Sequence, residues 1–548
     1  MARTTTGRYI LAIDHGTSGC KVALVSIHGR VVDFESEPTP IHFLPGGGAE
    51  QDPEDWWNAF LRAAKRLLKR RRGLARGIDA VSVSSTFSST VAVDREGRHL
   101  MRSLTWMDSR GAPYVAAMMG GFPSVMGYNL WKLYRWIRLT GGGPALSGKD
   151  DIAHVILTRE EFPRIYDATW KFLGSKDYFN LRLTGEFAAT HDSITLFWAT
   201  DNRDLTNIRY CEPLLRAAGI GADKLPRLIG ATDIVGTIRP AVAKELGLRA
   251  DVVVAGGSPD HQSALVGSGA VRDYEGHLYI GTSSWIECVV PFKKTDVAGQ
   301  VASLPSAIPG RYQCINEQDI AGGALKFLLD NIIFHSSHFY SPRRPPDPYG
   351  RLDETVKRVP PGSGSLIFAP WLNGERTPVD DTMLRGALFN ISMTTTTDHI
   401  LRAVLEGVAY NTRWSLAAVE KFTGRALEPI SIVGGGARSD AWCGIFADVL
   451  KRTVRRVKDP IQANARGAAY IAAVALGHIA FGDIPGFVEF DGIFEPDAAR
   501  AAEYDRIYAE FLNLYRKNRG IFHRLNRAAG SWRPRAQPGT PRLAARAP

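Results

Sequence analysis

Two stretches half a chain apart repeat one pattern, and that repetition limits what this chain can fold into more than any other feature. Residues 9–26 read YILAIDHGTSGCKVALVS: an apolar, β-rich run ending in Asp14, a turn through Gly16, Thr17 and Ser18, then a second strand. Residues 276–290 read GHLYIGTSSWIECVV, with Gly281, Thr282 and Ser283 in the turn. Glycines there permit tight turns whose N–H groups can face phosphate oxygens, and the hydroxyls add donors. The repetition suggests a duplicated unit that presents one such hairpin per copy. The length of 548 residues agrees, being too great for one ordinary core and sufficient for two large domains.

The pattern around the turns extends the picture. In the first half RVVDFES makes a third strand, so the opening reads as an antiparallel meander. Asp52, Pro53, Glu54 and Asp55 then start a helix. Its apolar face runs through Trp57, Phe60, Leu61, Ala64, Leu67 and Leu68, and its basic residues fit a solvated opposite face. Residues 78–93 read as two strands around a polar turn, 108–207 as mixed with aromatic-rich helical stretches, and 251–255 (DVVVA) as a strand. The second half offers a helix from Ala321 to Asn331, a Pro-rich surface stretch around 342–348 and a long helix over about 398–422. The strand ISIVGGG follows, then the helix ARSDAWCGIFADVL, a strand from Val454 to Val457 and the helix NARGAAYIAAVAL. From Asn526 onward Arg, Pro, Ala and Gly predominate, and a disordered basic tail is expected over 526–548.

Charge and cysteine usage narrow the function. The net charge of +11 is local: Arg62 to Arg76 holds eight basic residues and no acid, and Arg524 to Pro548 holds six arginines and no acid. No basic stripe interleaved with aromatics exists, so no nucleic-acid partner is expected. Cys20, Cys211, Cys288, Cys314 and Cys443 form no CxxC pair and suit inert thiols in a reducing compartment. The start MARTTTGRY has no apolar signal core, and the run from Ala468 to Phe481 is too short to span a bilayer. A cytoplasmic protein without a membrane partner is expected.

Four glycine-rich turns carry candidate chemistry. Asp14 at a strand end can hold Mg²⁺ directly or through water, while the same turn would also serve as a plain hairpin. Gly143 to Lys149 matches GxxxxGK, but Asp150 stands where a phosphate loop needs Ser or Thr, and the preceding LWKLYRWIRLT reads as a helix instead of a strand. Asp260, in GGSPDHQ after a buried strand, can reach a ligand hydroxyl as a general base or can cap the helix that follows; His261 reads as structural. Gly434, Gly435 and Gly436 end a strand and open a helix, a junction suited to the edge of a nucleotide.

In their joint order these stretches resemble the FGGY carbohydrate kinases, and within them the xylulokinases and related pentulose kinases. The stretches that carry the resemblance include YILAIDHGTSGCKVALV, AEQDPEDWWNAF, LTWMDSR, KFLGSKDYFNLRLTGE, DVVVAGGSPDHQSALVGSG, LYIGTSSW, PWLNGERTPVDD and IVGGGARSDAWCGIFADVL, within residues 8 to 520. The resemblance implies an α/β fold: two ribonuclease-H-like, actin- and hexokinase-like ATPase domains around a central cleft. It divides the chain into 8–271, the sugar-binding domain with the first phosphate loop, and 272–525, the ATP-binding domain. It implies ATP and Mg²⁺ as cofactors and a small sugar as partner, with a homodimer left open. The expected activity is ATP-dependent phosphorylation of a sugar hydroxyl, a pentulose such as xylulose first, with another ketose, a polyol, a sugar acid or a non-catalytic sensor as alternatives.

By position, the resemblance makes Asp260 the base and Asp14 the Mg²⁺ residue. Gly16, Thr17, Ser18 and Lys21 belong to the first phosphate loop, and Gly281, Thr282 and Ser283 to the second. Gly322, Lys326, Gly435 and Gly436 fall at the nucleoside, and Trp106, Asp108 and Arg110 in the sugar-side W-x-D-x-R pattern. Ser88 stands where xylulokinases carry a sugar-contacting His, Ser284 where Gly is usual in the second loop, and Asn390 where the C-terminal signature has Gly.

Overall fold

In the computed structural model, which describes residues 7–526 except 338, 339, 341 and 342, the apolar runs around the two turns become the centres of two sheets. From Ile10 to His15 every residue of the Tyr9–Gly16 strand is buried, which is why the sequence there shows no alternation. Tyr9–Gly16, Gly19–Ser26 and Val31–Pro38 form the expected antiparallel meander. Ile78–Ser85 then adds parallel to Tyr9–Gly16, and Val253–Ala255 adds parallel to Ile78–Ser85.

The second sheet repeats this plan. Gly276–Ile280, Ser284–Val290 and Tyr312–Gln318 are the antiparallel trio, and Ile430–Val433 and Val454–Val457 extend it in parallel. Both sheets thus run third, second, first, fourth, fifth in order of their core strands, with extra edge strands outside. The repeated turns occupy equivalent places, each joining the first strand of a trio to the second.

The two halves meet through a pair of helices, Asp260–Gly267 and Ala463–Ala475. A Cβ on Gly267 would lie 1.9 Å from the Ala463 carbonyl oxygen, and one on Gly467 would lie 1.7 Å from that of Ser263. Only glycine lets the backbones touch in this way. Around the crossing, Ala465, Ala468, Ala469 and Ala472 press onto Ile10, Ala12, Ala23, Val25 and Ala80 of the first sheet. Tyr470 and Ile471 face the cluster that includes Trp285, Val289 and Val433 of the second. One helix from the second half therefore closes cores in both.

Several local expectations change. Asp52 caps the Pro53–Arg70 helix, accepting from the Glu54 N–H at 2.8 Å. The basic face of that helix is not simply solvated. Arg62, Arg66, Arg70 and Arg71 pair with Asp33, Glu35 and Glu37, which share one face of the third strand, as in Arg70 Nε to Asp33 Oδ2 at 2.9 Å and Arg66 Nε to Glu35 Oε2 at 3.1 Å. Arg70 first, and then Arg71, hold the Asp33 carboxyl down to about 2.

The two strands within 78–93 do not pair with each other. Thr90–Val93 leaves for a separate five-stranded sheet beside Lys171–Gly174. The helix expected from Ala321 to Asn331 is α-helical only over Gly322–Leu328 and widens over Leu329–Ile333. A 29-residue helix, Ala498–Asn526, was not foreseen; it buries Tyr504, Ile507 and Phe511 in the second core. Most of the expected disordered tail lies outside the described residues, as does part of the Pro-rich stretch. Among the described residues, no helix is long and apolar enough to cross a membrane.

The crossing yields a test. Gly467→Ala should destabilise the protein by about 1–3 kcal/mol, the usual range for overpacking a close contact. Gly444→Ala, in the Asp440–Leu450 helix with nothing within 4 Å of its added methyl, should be neutral or stabilise by up to about 1 kcal/mol. Denaturant unfolding of both variants checks the contrast; equal effects would show that the backbones do not touch.

Candidate active site

Parallel strands that end side by side deliver their next residues to one place, and the cleft is built this way. Asp14 lies near the end of Tyr9–Gly16 and is 8% exposed. Its Oδ2 accepts from Lys21 Nζ at 3.2 Å, its direct cross-strand neighbour. Its Oδ1 accepts from Asn464 Nδ2 at 3.3 Å, a contact from the other half of the chain that the sequence analysis did not anticipate. Lys21 also donates to the Ile461 carbonyl at 2.9 Å, so both residues tie the first turn to the second half.

The first turn is held from behind. Gln51 donates to the Thr17 carbonyl at 3.0 Å, and the Trp106 indole donates to Thr17 Oγ1 at 3.0 Å. Gly16 and Thr17 remain half-buried and Ser18 exposed. The second turn is braced by glycines far away in sequence. Gly322 and Gly323 N–H groups bond the carbonyls of Gly281 and Thr282 at 2.9 and 3.0 Å. Gly434, at φ 93°, brings its backbone against Ile280, and Gly436 lies against the Ile280 side chain. Glycines that the sequence marked in two separate places, Gly322 in one and Gly434 and Gly436 in the other, thus converge on Ile280 and the turn after it. Gly435 is exposed, with open space around it.

Asp260 opens the helix that crosses Ala463–Ala475. It is half-buried, and its Oδ1 accepts from the His261 N–H at 2.9 Å. Burial pushes its carboxyl up to about 8, and the neighbouring negative charge of Asp14, with a smaller contribution from Glu317, adds to the rise. Burial first, and then the charges of Asp14 and Asp260, push the Tyr279 hydroxyl up, and its ring stacks on Trp285 with centroids 3.9 Å apart. His261 is buried and lies against Phe87.

The sugar-side residues are placed differently from expectation. Asp108 is fully buried, and its carboxylate is occupied by the Ala49 N–H at 3.0 Å and the Arg110 guanidinium at 2.6 Å. Arg110 also holds Glu50 at 2.7 Å. This aspartate therefore orients Arg110 and shapes the wall instead of facing the cleft. Ser88 sits at φ 55°, a left-handed conformation that a non-glycine residue adopts under constraint, and its hydroxyl donates to the Lys149 carbonyl at 2.6 Å. Lys326 lies on the exposed side of its helix, paired with Asp330.

The departures from the family pattern find physical reasons. Asn390 has φ 69°, a conformation that Gly accepts freely and Asn tolerates. Ser284 is buried, with its hydroxyl on Gln318 Oε1 at 3.2 Å.

A further group of charges lines the cleft in the stretch PWLNGERTPVDD, whose individual roles the sequence left unassigned. Arg376 pairs with Glu317 and, at 3.4 Å, with Asp319. Glu375 beside it is buried, and its carboxyl is pushed up to about 8, by burial first and then by Asp319. Among the described residues no group of three or more His, Cys, Asp or Glu could hold a metal ion. Asp14, one lightly bonded carboxylate at a strand end, still fits Mg²⁺, which keeps several waters and takes its remaining ligands from phosphate.

Comparison with known proteins agrees with this architecture. The pattern of the FGGY family of carbohydrate kinases, N-terminal domain, matches residues 9–121 and 154–267, and that of its C-terminal domain matches 277–476. Over 510 residues the chain is 26% identical to the xylulose kinase of Bacillus subtilis, covering 93% of this chain and 97% of that one. It is 28% identical over 511 residues to the gluconokinase of the same organism, covering 93% and 96%. The gluconate kinase structure from Lactobacillus acidophilus superposes with a TM-score of 0.82 at 22% identity, over 95% of this chain and all of that one.

The raised carboxyl of Asp260 has a consequence for stability. Its folded value of about 8 exceeds the ordinary 3.8, so the folded state holds a proton that the unfolded chain has lost, and stability falls as pH rises through that window. Asp260→Asn removes this dependence. Its melting temperature should therefore exceed that of the parent by more at pH 8 than at pH 5. A gap that does not change with pH would mean the carboxyl titrates normally.

Proposed function

Since this chain belongs to the FGGY family of carbohydrate kinases, we propose that it transfers the terminal phosphoryl group of ATP to a hydroxyl of a small open-chain sugar, with Asp260 as general base. The observation that carries this is the position of Asp260: it opens a helix at the floor of the cleft, beside Asp14, with its carboxyl raised into the range of a working base. The Asp260 carboxylate takes the proton of the acceptor hydroxyl, the oxygen so freed bonds to the terminal phosphorus, and the bond to ADP breaks; the proton then leaves the carboxyl for solvent. Lys21 steadies Asp14, and the backbones of the two turns would receive the phosphates from either side. Mg²⁺ held at Asp14, directly or through water, would offset charge on the transferring group.

Relatives of similar distance are named for xylulose and for gluconate, which supports a neutral ketose, with xylulose the pentulose first expected, or a sugar acid as acceptor, beside the polyol also expected from the sequence. A non-catalytic sensor on the same fold would have no use for a carboxyl raised to about 8 beside Asp14.

Asp260→Asn should lower kcat by roughly 10²–10⁴-fold with KM for ATP little changed, the loss typical of a removed base. Turnover within a few-fold of the parent would refute the role. In the parent, kcat/KM should rise with pH as Asp260 ionises, toward a plateau above about 8, in the absence of other limiting groups.

A further inference from the structure

The segment from Gly256 to Pro259 leads from the Val253–Ala255 strand to Asp260, and a buried charge outside the cleft holds it. Gly257 has φ 70°, and a Cβ there would lie 2.2 Å from the Val83 carbonyl oxygen, so the backbone is pressed onto the Ile78–Ser85 strand. Ser258 and Pro259 then pair with Ser84 and Ser85 of that strand, directly before Asp260. The Gly256 carbonyl accepts from two side chains of one helix, Ser175–Thr184: Lys176 Nζ at 2.9 Å and, a turn later, Asn180 Nδ2 at 2.9 Å. The Ser258 hydroxyl bonds the Asp192 carboxylate, and the Ser258 carbonyl accepts from Ser263, in the first turn of the Asp260–Gly267 helix, at 3.1 Å.

Lys176 is an unusual lysine. It is 2% exposed, and among the described residues no other lysine is buried. Its ammonium pairs with Asp177, which is buried too, and the second oxygen of that carboxylate takes the Ser193 hydroxyl at 2.8 Å. An ion pair is costly to desolvate, and uncharged residues of similar size often serve stability as well or better. The Gly256 carbonyl does not need the charge either, because Asn180 already bonds it. Neither stability nor hydrogen-bond satisfaction therefore accounts for the pair. What it adds is a second, directional hold on the backbone that delivers the base. The adjacent Ser175 hydroxyl donates to the Thr86 carbonyl at 3.0 Å, two residues before Ser88. Neighbouring residues of one helical turn thus grip both the sugar-side segment and the segment that ends in Asp260.

We propose that Lys176, with Asn180, is a positioning residue for Asp260: the two fix the Gly256 carbonyl and so set where the base stands relative to the acceptor hydroxyl. Lys176 is buried, so it acts through the backbone and not on the acceptor. This proposal rests on Asp260 as the base in the kinase reading above and adds the residues that aim it. Misplacing a reacting group by about 1 Å can cost about 10²-fold, so slight slack in this segment is legible in kcat.

The test uses Lys176→Met combined with Asp177→Asn, which removes the ion pair without stranding a charge and keeps an oxygen for Ser193. It is assayed with the best acceptor from a panel of ketoses, polyols and sugar acids. The kcat should fall about tenfold or more, while KM for ATP stays within about twofold and the melting temperature within about 5 °C. In an Asp260→Asn background the same two substitutions should lower kcat by less than about threefold, because the aim of an absent base no longer matters. Asn180→Leu, which removes the other donor and no charge, should show the same pattern with a loss of about threefold to tenfold, and it decides the matter should the first variant not fold. Equal losses with and without the Asp260 carboxylate, or an unchanged kcat, overturn the proposal and leave the kinase reading standing. Turnover in Asp260→Asn within a few-fold of the parent overturns the base, and this proposal with it.

Discussion

The backbone contact between the helices Asp260–Gly267 and Ala463–Ala475 is the constraint on which the rest of the structure depends. Gly267 and Gly467 allow it, with carbonyl oxygens under 2 Å from where methyl groups would stand. Because the helices approach so closely, the alanine face of the second one reaches the first sheet while Tyr470 and Ile471 reach the second. Asn464, on the same helix, then falls beside Asp14, and Asp260 at the start of the first helix comes under the charge of Asp14. A larger residue at either glycine would part the sheets and pull these groups away from one another.

The cleft itself is governed by burial of like charge. Asp14, Asp260, Glu317, Asp319 and Glu375 are gathered in a small region, and the fold offsets this unevenly. Arg376 pairs with both Glu317 and Asp319, and Lys21 lies against Asp14. Asp260 and Glu375 receive no cation and keep their protons to higher pH instead. Of these two, Asp260 is the one proposed above to take the acceptor's proton.

Much of this was legible in the sequence where one local rule governed one element. The twin Gly-Thr-Ser turns, the capped helix at Pro53 and the strand before Gly434 follow from apolar runs and glycine punctuation, and the structure has each of them. Asp14 and Asp260 could be picked out because each ends or follows a strand in a glycine-rich setting. What escaped depends on partners distant in sequence. The arginines of the Pro53–Arg70 helix looked solvated because their acids lie on a strand some thirty residues earlier. Asp108 looked like a sugar contact because nothing local reveals that Ala49 and Arg110 occupy it. Lys149 sat in a false phosphate-loop pattern, and only the fold shows its carbonyl taking the Ser88 hydroxyl.

The position of Asp260 on its helix also sets a lever arm. At about 1.5 Å per residue, the seven steps from Asp260 to Gly267 place the base within roughly 10 Å of the contact about which the two halves would turn. A rotation of about 10° there displaces the base by less than about 2 Å, while side chains at the cleft mouth, with arms two or three times longer, sweep proportionally farther. In any such turn Asp260 would stay nearly in place while the side chains at the cleft mouth moved around it.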